Sequence, residues 1–150
     1  MKKVSYSNIV KIYNMRTIKN IVVHCTATKQ SATVKSIMNY WKTGLGWKNP
    51  GYHLIVLPNG DYERLATDET VCNGVKNHNS NSIHISYIGG VDENGKAKDN
   101  RTDAQKKTLL QLICGLKAKY PEAKILGHRD FPGVAKDCPS FNAIEEYKHL

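Results

Sequence analysis

The chain has no apolar run near the roughly 20 residues a membrane-spanning helix needs, which excludes membrane insertion. Its N-terminus, MKKVSYSNIV, lacks the continuous apolar core of a secretory signal. None of its four cysteines, Cys25, Cys72, Cys114 and Cys138, forms a CxxC pair, so neither a local zinc finger nor a disulfide framework is expected. Repeats, low-complexity tracts and Pro/Gly-rich linkers are absent too. At 150 residues, with 40% hydrophobic and 23% charged side chains, the chain has room for one core and lacks the composition of disorder. The expectation is one globular domain made in the cytoplasm without a signal, its thiols mostly free, acting as a monomer.

Charge is one-sided. Lys plus Arg is 22 against 13 Asp plus Glu, a net +9 that favours a polyanionic partner such as nucleic acid or an acidic cell-wall polymer. The basic residues are scattered in pairs (Lys2–Lys3, Lys106–Lys107) and not clustered, which argues against specific nucleic-acid recognition.

Periodicity gives an interleaved order of strands and helices. Residues 1–17 have no clean period and read as an N-terminal extension or edge strand, leaving 18–150 as the functional domain. Residues 21–25 (IVVHC) suit a buried strand. A helix follows the cap Thr33, with Val34, Ile37, Met38 and Trp41 on one face and Gly44 at its end. Residues 52–57 form a strand that turns at Pro58-Asn59-Gly60 into a hairpin. Residues 83–88 make another strand, closed by Gly89-Gly90. Thr102 to Gln105 has the form of a capping box, and Leu109, Leu112, Ile113, Leu116 and Tyr120 mark the inner face of a helix ending before Pro121. A short strand at 124–126 and a last helix capped by Ser140 complete an α/β domain with a mixed sheet covered by helices.

The residues with chemistry lie at two strand ends and one loop: His24 in IVVHCTAT, His128 in ILGHRDFPG and Cys138 in AKDCPSF. Two imidazoles and a thiolate can hold Zn²⁺ and leave a fourth position for water. Taken singly, His24 also reads as an ordinary strand-end histidine and Cys138 as a small hydrophobe. Pleating sends Val22 and His24 to one face and Val23 and Cys25 to the other, so His24 and Cys25 cannot both enter one site. Among the other histidines, His53 reads as a satisfied core residue, His78 as a polar-loop residue and His149 as frayed. Arg129 and Asp130 are expected to steady His128. Trp41 fits the core face of its helix, and Trp47 is free to stack on a sugar.

The order of motifs IVVHCTAT, GYHLIVLPNG, NSIHISYIGGVDENGK, GHRDF and KDCPSF resembles the zinc-dependent N-acetylmuramoyl-L-alanine amidases of the bacteriophage lysozyme and peptidoglycan-recognition-protein superfamily, over roughly residues 17–144. The resemblance implies that family's α/β fold, hydrolysis of the amide between N-acetylmuramic acid and L-alanine in peptidoglycan, zinc ligands at His24, His128 and Cys138, and a catalytic pair at Tyr52 and Lys136. An extended loop would put Lys136 and Cys138 on one face and Asp137 on the other, as that assignment needs. Two features depart from the family pattern: residues 67–76 (TDETVCNGVK) replace a loop that carries its own histidine in many relatives, and His84 stands where a small or amide residue is commoner. The other reading of the same fold is a module that binds peptidoglycan or a protein without cleaving it, but such members typically lack the cysteine ligand.

Overall fold

The computed structural model describes residues 16–150. The expected extension therefore lies, up to residue 15, outside the described residues. Five strands form one sheet: β1 (Asn20–Cys25), β2 (Leu54–Val56), β3 (Tyr62–Arg64), β4 (Ser82–Tyr87) and β5 (Lys124–Gly127), in the order β3-β2-β4-β1-β5. Only the β2–β3 hairpin is antiparallel; β1 runs parallel to both β4 and β5. This is the mixed sheet expected from the sequence.

β1 and β4 are buried on both faces; β1 accordingly carries the short apolar run Ile21-Val22-Val23, whereas β4 alternates Ile83, Ile85 and Tyr87 with the buried polar Ser82, His84 and Ser86. On one face Ile21, Val23, Ile83, Ile85 and Tyr87 pack against Leu109, Ile113 and Leu116 of helix α2 (Asp103–Lys119). Each such side chain, fully buried, contributes about 1.5–3 kcal/mol. The opposite face carries Val22, His24 and His84, the alternation that strand geometry requires. α2 begins at a capping box in which the Thr102 hydroxyl accepts from Gln105 N–H and the Gln105 side chain accepts from Thr102 N–H. Before it in the chain, helix α1 (Val34–Asn39) starts at Thr33 and passes into one π-helical turn, Tyr40–Gly44. Trp41 is buried there, whereas Met38, assigned to the same apolar face, is exposed.

The last helix, α3 (Ala143–Glu146), corrects one expectation. Its cap is Asn142, whose side chain accepts from Glu145 N–H, and not Ser140. Ser140 instead has a φ of +69° and donates its hydroxyl to the Gly90 carbonyl, so it is spent on anchoring the loop.

Residues 65–81 contain no regular element and are held by side chains. Asp68 accepts from Lys119 Nζ (2.8 Å), Tyr120 OH (2.7 Å) and Arg64 Nη1 (2.9 Å). Burial alone would push its carboxyl up, but these three donors hold it down at about 2. A depressed carboxylate stabilises the fold above its unfolded pKa of about 4 and loses that contribution as pH falls toward the folded value. Asp68→Asn is expected to lower stability at neutral pH by about 1–2 kcal/mol, discounted for the exposed Lys119 and Arg64. Urea titrations should show this gap closing between about pH 4 and pH 2; a gap that is constant with pH would contradict it.

Candidate active site

His24 is the penultimate residue of β1, which ends level with β4 and two residues beyond β5, so the loops following three parallel strands gather at one end of the sheet. His128 begins a 3₁₀ turn, His128–Asp130, directly after β5. Cys138 lies ten residues further on in a loop fastened at three points. Its carbonyl accepts from Arg129 N–H (2.8 Å), its sulfur from Cys25 N–H (3.2 Å), and the next carbonyl, of Pro139, from Tyr87 OH (2.7 Å). The Cys138–Pro139 peptide bond is cis.

These elements bring the His24, His128 and Cys138 ligand atoms within 4.8 Å of one another, a group able to hold a metal ion. His24 Nδ1 faces Cys138 Sγ at 3.7 Å. For ligands at ordinary Zn–N and Zn–S bond lengths, a tetrahedral site has a nitrogen-to-sulfur edge of about 3.6 Å, and the pair fits it. Both imidazoles are pushed toward the neutral, ligating form. Burial lowers His24 well below its usual range, and burial with the Lys136 charge brings His128 to about 4. The neighbouring Cys25 thiol and burial push the Cys138 thiol up, while Cys25 N–H and Lys136 favour its thiolate.

The three line a cleft of about 760 Å³ together with Tyr52, Lys136 and Trp47. Tyr52 precedes β2 and does not open it, as the strand is shorter than expected. Its ring sits 4.9 Å from that of His24 and edge-on to Trp41 at 5.2 Å, and its hydroxyl donates to the Cys25 carbonyl (3.1 Å). Burial holds this phenol well above its usual range, so it keeps its proton. Gly51 lets Tyr52 in at this point, because a Cβ there would press on the Trp41 ring at 2.9 Å. Lys136 and Asp137 are exposed in the Cys138 loop, and Lys136 lines the cleft. Trp47 is half-buried, stacked on Trp41 with ring centroids 6.4 Å apart.

The remaining expectations divide. His53 is buried, with Nε2 2.7 Å from the Thr70 carbonyl and Nδ1 accepting from His84 N–H, a satisfied core histidine. His78 packs on Phe131. Asp130 does not reach His128: its carboxylate accepts Gly127 N–H (2.7 Å) and fixes the turn that carries the histidine. Sequence reasoning missed the contact of His84 with His24, whose Nδ1 and Nε2 lie 2.8 Å apart. Pleating puts both side chains on one face, but only the β1–β4 pairing makes them neighbours.

Comparison with known proteins agrees with this architecture. The endolysin of Enterobacteria phage T3 is 38% identical over 84% of this chain and 83% of its own length. That of Escherichia phage T7 is 38% identical over 81% and 80%. Among solved structures, the endolysin N-acetylmuramoyl-L-alanine amidase LysCS of Clostridium intestinale superposes with a TM-score of 0.74 at 25% identity, covering 88% of this chain and 82% of that one. Residues 14–141, spanning both histidines, the cysteine and the cleft, match the N-acetylmuramoyl-L-alanine amidase family, and the chain belongs to that family.

Proposed function

We propose that this amidase uses zinc held by His24, His128 and Cys138 to hydrolyse the amide joining the lactyl group of N-acetylmuramic acid to L-alanine in peptidoglycan, and that it acts as a monomeric endolysin on the cell wall. The supporting observation is the convergence of a buried and a half-buried imidazole, both held toward the neutral form, and a buried sulfur on a cleft that also holds Tyr52 and Lys136. Zinc bound there would supply a Lewis acid that polarises the scissile carbonyl and acidifies a water. The other contributions come from the chain. Lys136, a cation at the cleft wall, stabilises negative charge developing on the carbonyl oxygen. Tyr52 keeps its proton and can turn it from the Cys25 carbonyl to that oxygen as a second donor. Trp47 offers a flat apolar face to a sugar ring, and the net charge of +9 suits an acidic wall. On this reading residues 18–150 are the catalytic domain and 1–17 an extension.

Digestion of purified peptidoglycan with mass analysis of the products tests bond and substrate together. The expected result is release of new L-alanine amino termini, abolished by a chelator and restored by zinc. Cleavage within the glycan, or amino termini that appear undiminished in chelator, would overturn it.

A further inference from the structure

His84 is fully buried beside the candidate metal site, yet it is not one of the three converging ligands. Its hydrogen bonds run in one direction only. Val75 N–H donates to the Asn79 side chain at 2.8 Å, which identifies the accepting atom as the amide oxygen, Oδ1. The same oxygen lies 2.9 Å from His84 Nε2, so that nitrogen carries the proton. In a neutral ring His84 Nδ1 is then a bare acceptor. His24 Nε2, 2.8 Å away, must donate to it, and this leaves the lone pair of His24 on Nδ1, the atom facing Cys138 Sγ at 3.7 Å.

We propose that His84, oriented by Asn79, is a positioning residue that holds His24 in the tautomer whose Nδ1 lone pair points into the metal site. The inference rests on the reading of His24, His128 and Cys138 as that site. A ligating imidazole generally donates its other N–H to an oxygen acceptor, and this chain supplies a second imidazole in that place.

The surroundings are built around this ring. Gly74 lies against it so closely that a Cβ there would run into Nδ1 and Cγ. On another side the His53 ring stacks on it, with centroids 6.0 Å apart and planes 15° apart, and His53 Nδ1 accepts the backbone N–H of His84 at 3.0 Å. His53 in turn is 2.7 Å from the Thr70 carbonyl through Nε2. The ring of His84 is thus fixed at its edge, its face and its backbone, and so is the direction of the bond it accepts.

The test compares three variants in the full chain. His84→Leu fills the space but offers no acceptor. His84→Asn leaves a smaller side chain but places an amide oxygen where Nδ1 was. Gly74→Ala leaves His84 in the sequence and displaces its ring. Zinc affinity, measured by competition with a chelating dye, should fall about 10–100-fold in His84→Leu and Gly74→Ala and recover in His84→Asn. In nuclear magnetic resonance spectra of zinc-loaded protein, the His24 Nε2–H should exchange slowly in wild type and in His84→Asn, and should be lost to exchange in the other two. Circular dichroism confirms that each variant is folded. If His84→Leu binds zinc as tightly as wild type with the slow proton intact, the proposal fails. It also fails if His84→Asn is weakened as much as His84→Leu, since packing and not the acceptor would then be responsible. A wild-type chain that takes up no zinc would overturn the metal-site reading instead, a separate outcome.

Discussion

Cys138→Ser is expected to release zinc from the purified protein while leaving the chain folded. The substitution exchanges a soft thiolate for a hydroxyl that does not ionise near neutral pH, so one of three protein ligands is lost outright. Partners outside the ligand shell already change metal affinity 10–100-fold, and loss of a ligand should exceed about a hundredfold. Cys138 belongs to the core cluster of Ile21, Val23, Ile83, Ile85, Leu109 and Ile113, but serine is close to it in size and its hydroxyl can still accept Cys25 N–H, so the fold is expected to be kept. Cys25→Ser and Cys114→Ser provide the contrast. The Cys25 thiol neighbours that of Cys138, but its backbone makes the two fixed contacts, donating N–H to Cys138 Sγ and accepting from Tyr52 at its carbonyl, and both survive a side-chain change. Cys114 is exposed on α2. Metal content after dialysis distinguishes the variants. Loss of zinc in Cys25→Ser with retention in Cys138→Ser would invert the ligand assignment.

Tyr52→Phe and Lys136→Ala should each retain zinc and muropeptide affinity yet lose about 10²–10³ in the rate of amide cleavage, the usual effect of removing one oxyanion donor. Tyr52→Phe keeps the ring between His24 and Trp41 and deletes only the hydroxyl, so packing is undisturbed. Lys136 is exposed, so its truncation leaves the core untouched. The loss should fall on kcat with KM little changed, because these donors meet charge that exists only in the transition state. Wild-type turnover in both variants would remove them from the reaction even with the metal bound as expected.

Much of this architecture was legible in advance, and the reasons are local. Thr33 and Thr102 cap helices because side chains three residues on complete the reciprocal bonds, a pattern visible in a string of letters. The 58–60 turn forms as read, with Gly60 at a φ of +91°. The faces of β1 follow from pleating alone: Val22 and His24 lie on one side and Cys25 on the other. What could not be read depends on pairings distant in the chain. Cys138 joins His24 across 114 positions only because the loop after β5 folds back beneath Tyr87 and Arg129, and family resemblance, not spacing, pointed to that meeting. Ser140 looked like a helix cap because nothing local reveals that Gly90 takes its hydroxyl. The His84 contact was hidden for the same reason, since no periodicity tells which strand will lie beside β1.

Arg16 carries a different lesson, about where this domain can be cut. All five of its guanidinium N–H groups go to main-chain carbonyls: Nε to Ser80, Nη1 to Asp68 and Thr70, and Nη2 to Asn79 and Ser82. One side chain therefore gathers carbonyls from across residues 68–82, four of them outside any strand and the fifth, that of Ser82, at the start of β4. Lysine, with three donors, could serve at most three of the five. A chain trimmed to begin at residue 18 would keep every described strand, helix and cleft residue and still leave those five oxygens without their shared donor, so a cut there is expected to loosen the 68–82 segment while the sheet itself stays intact.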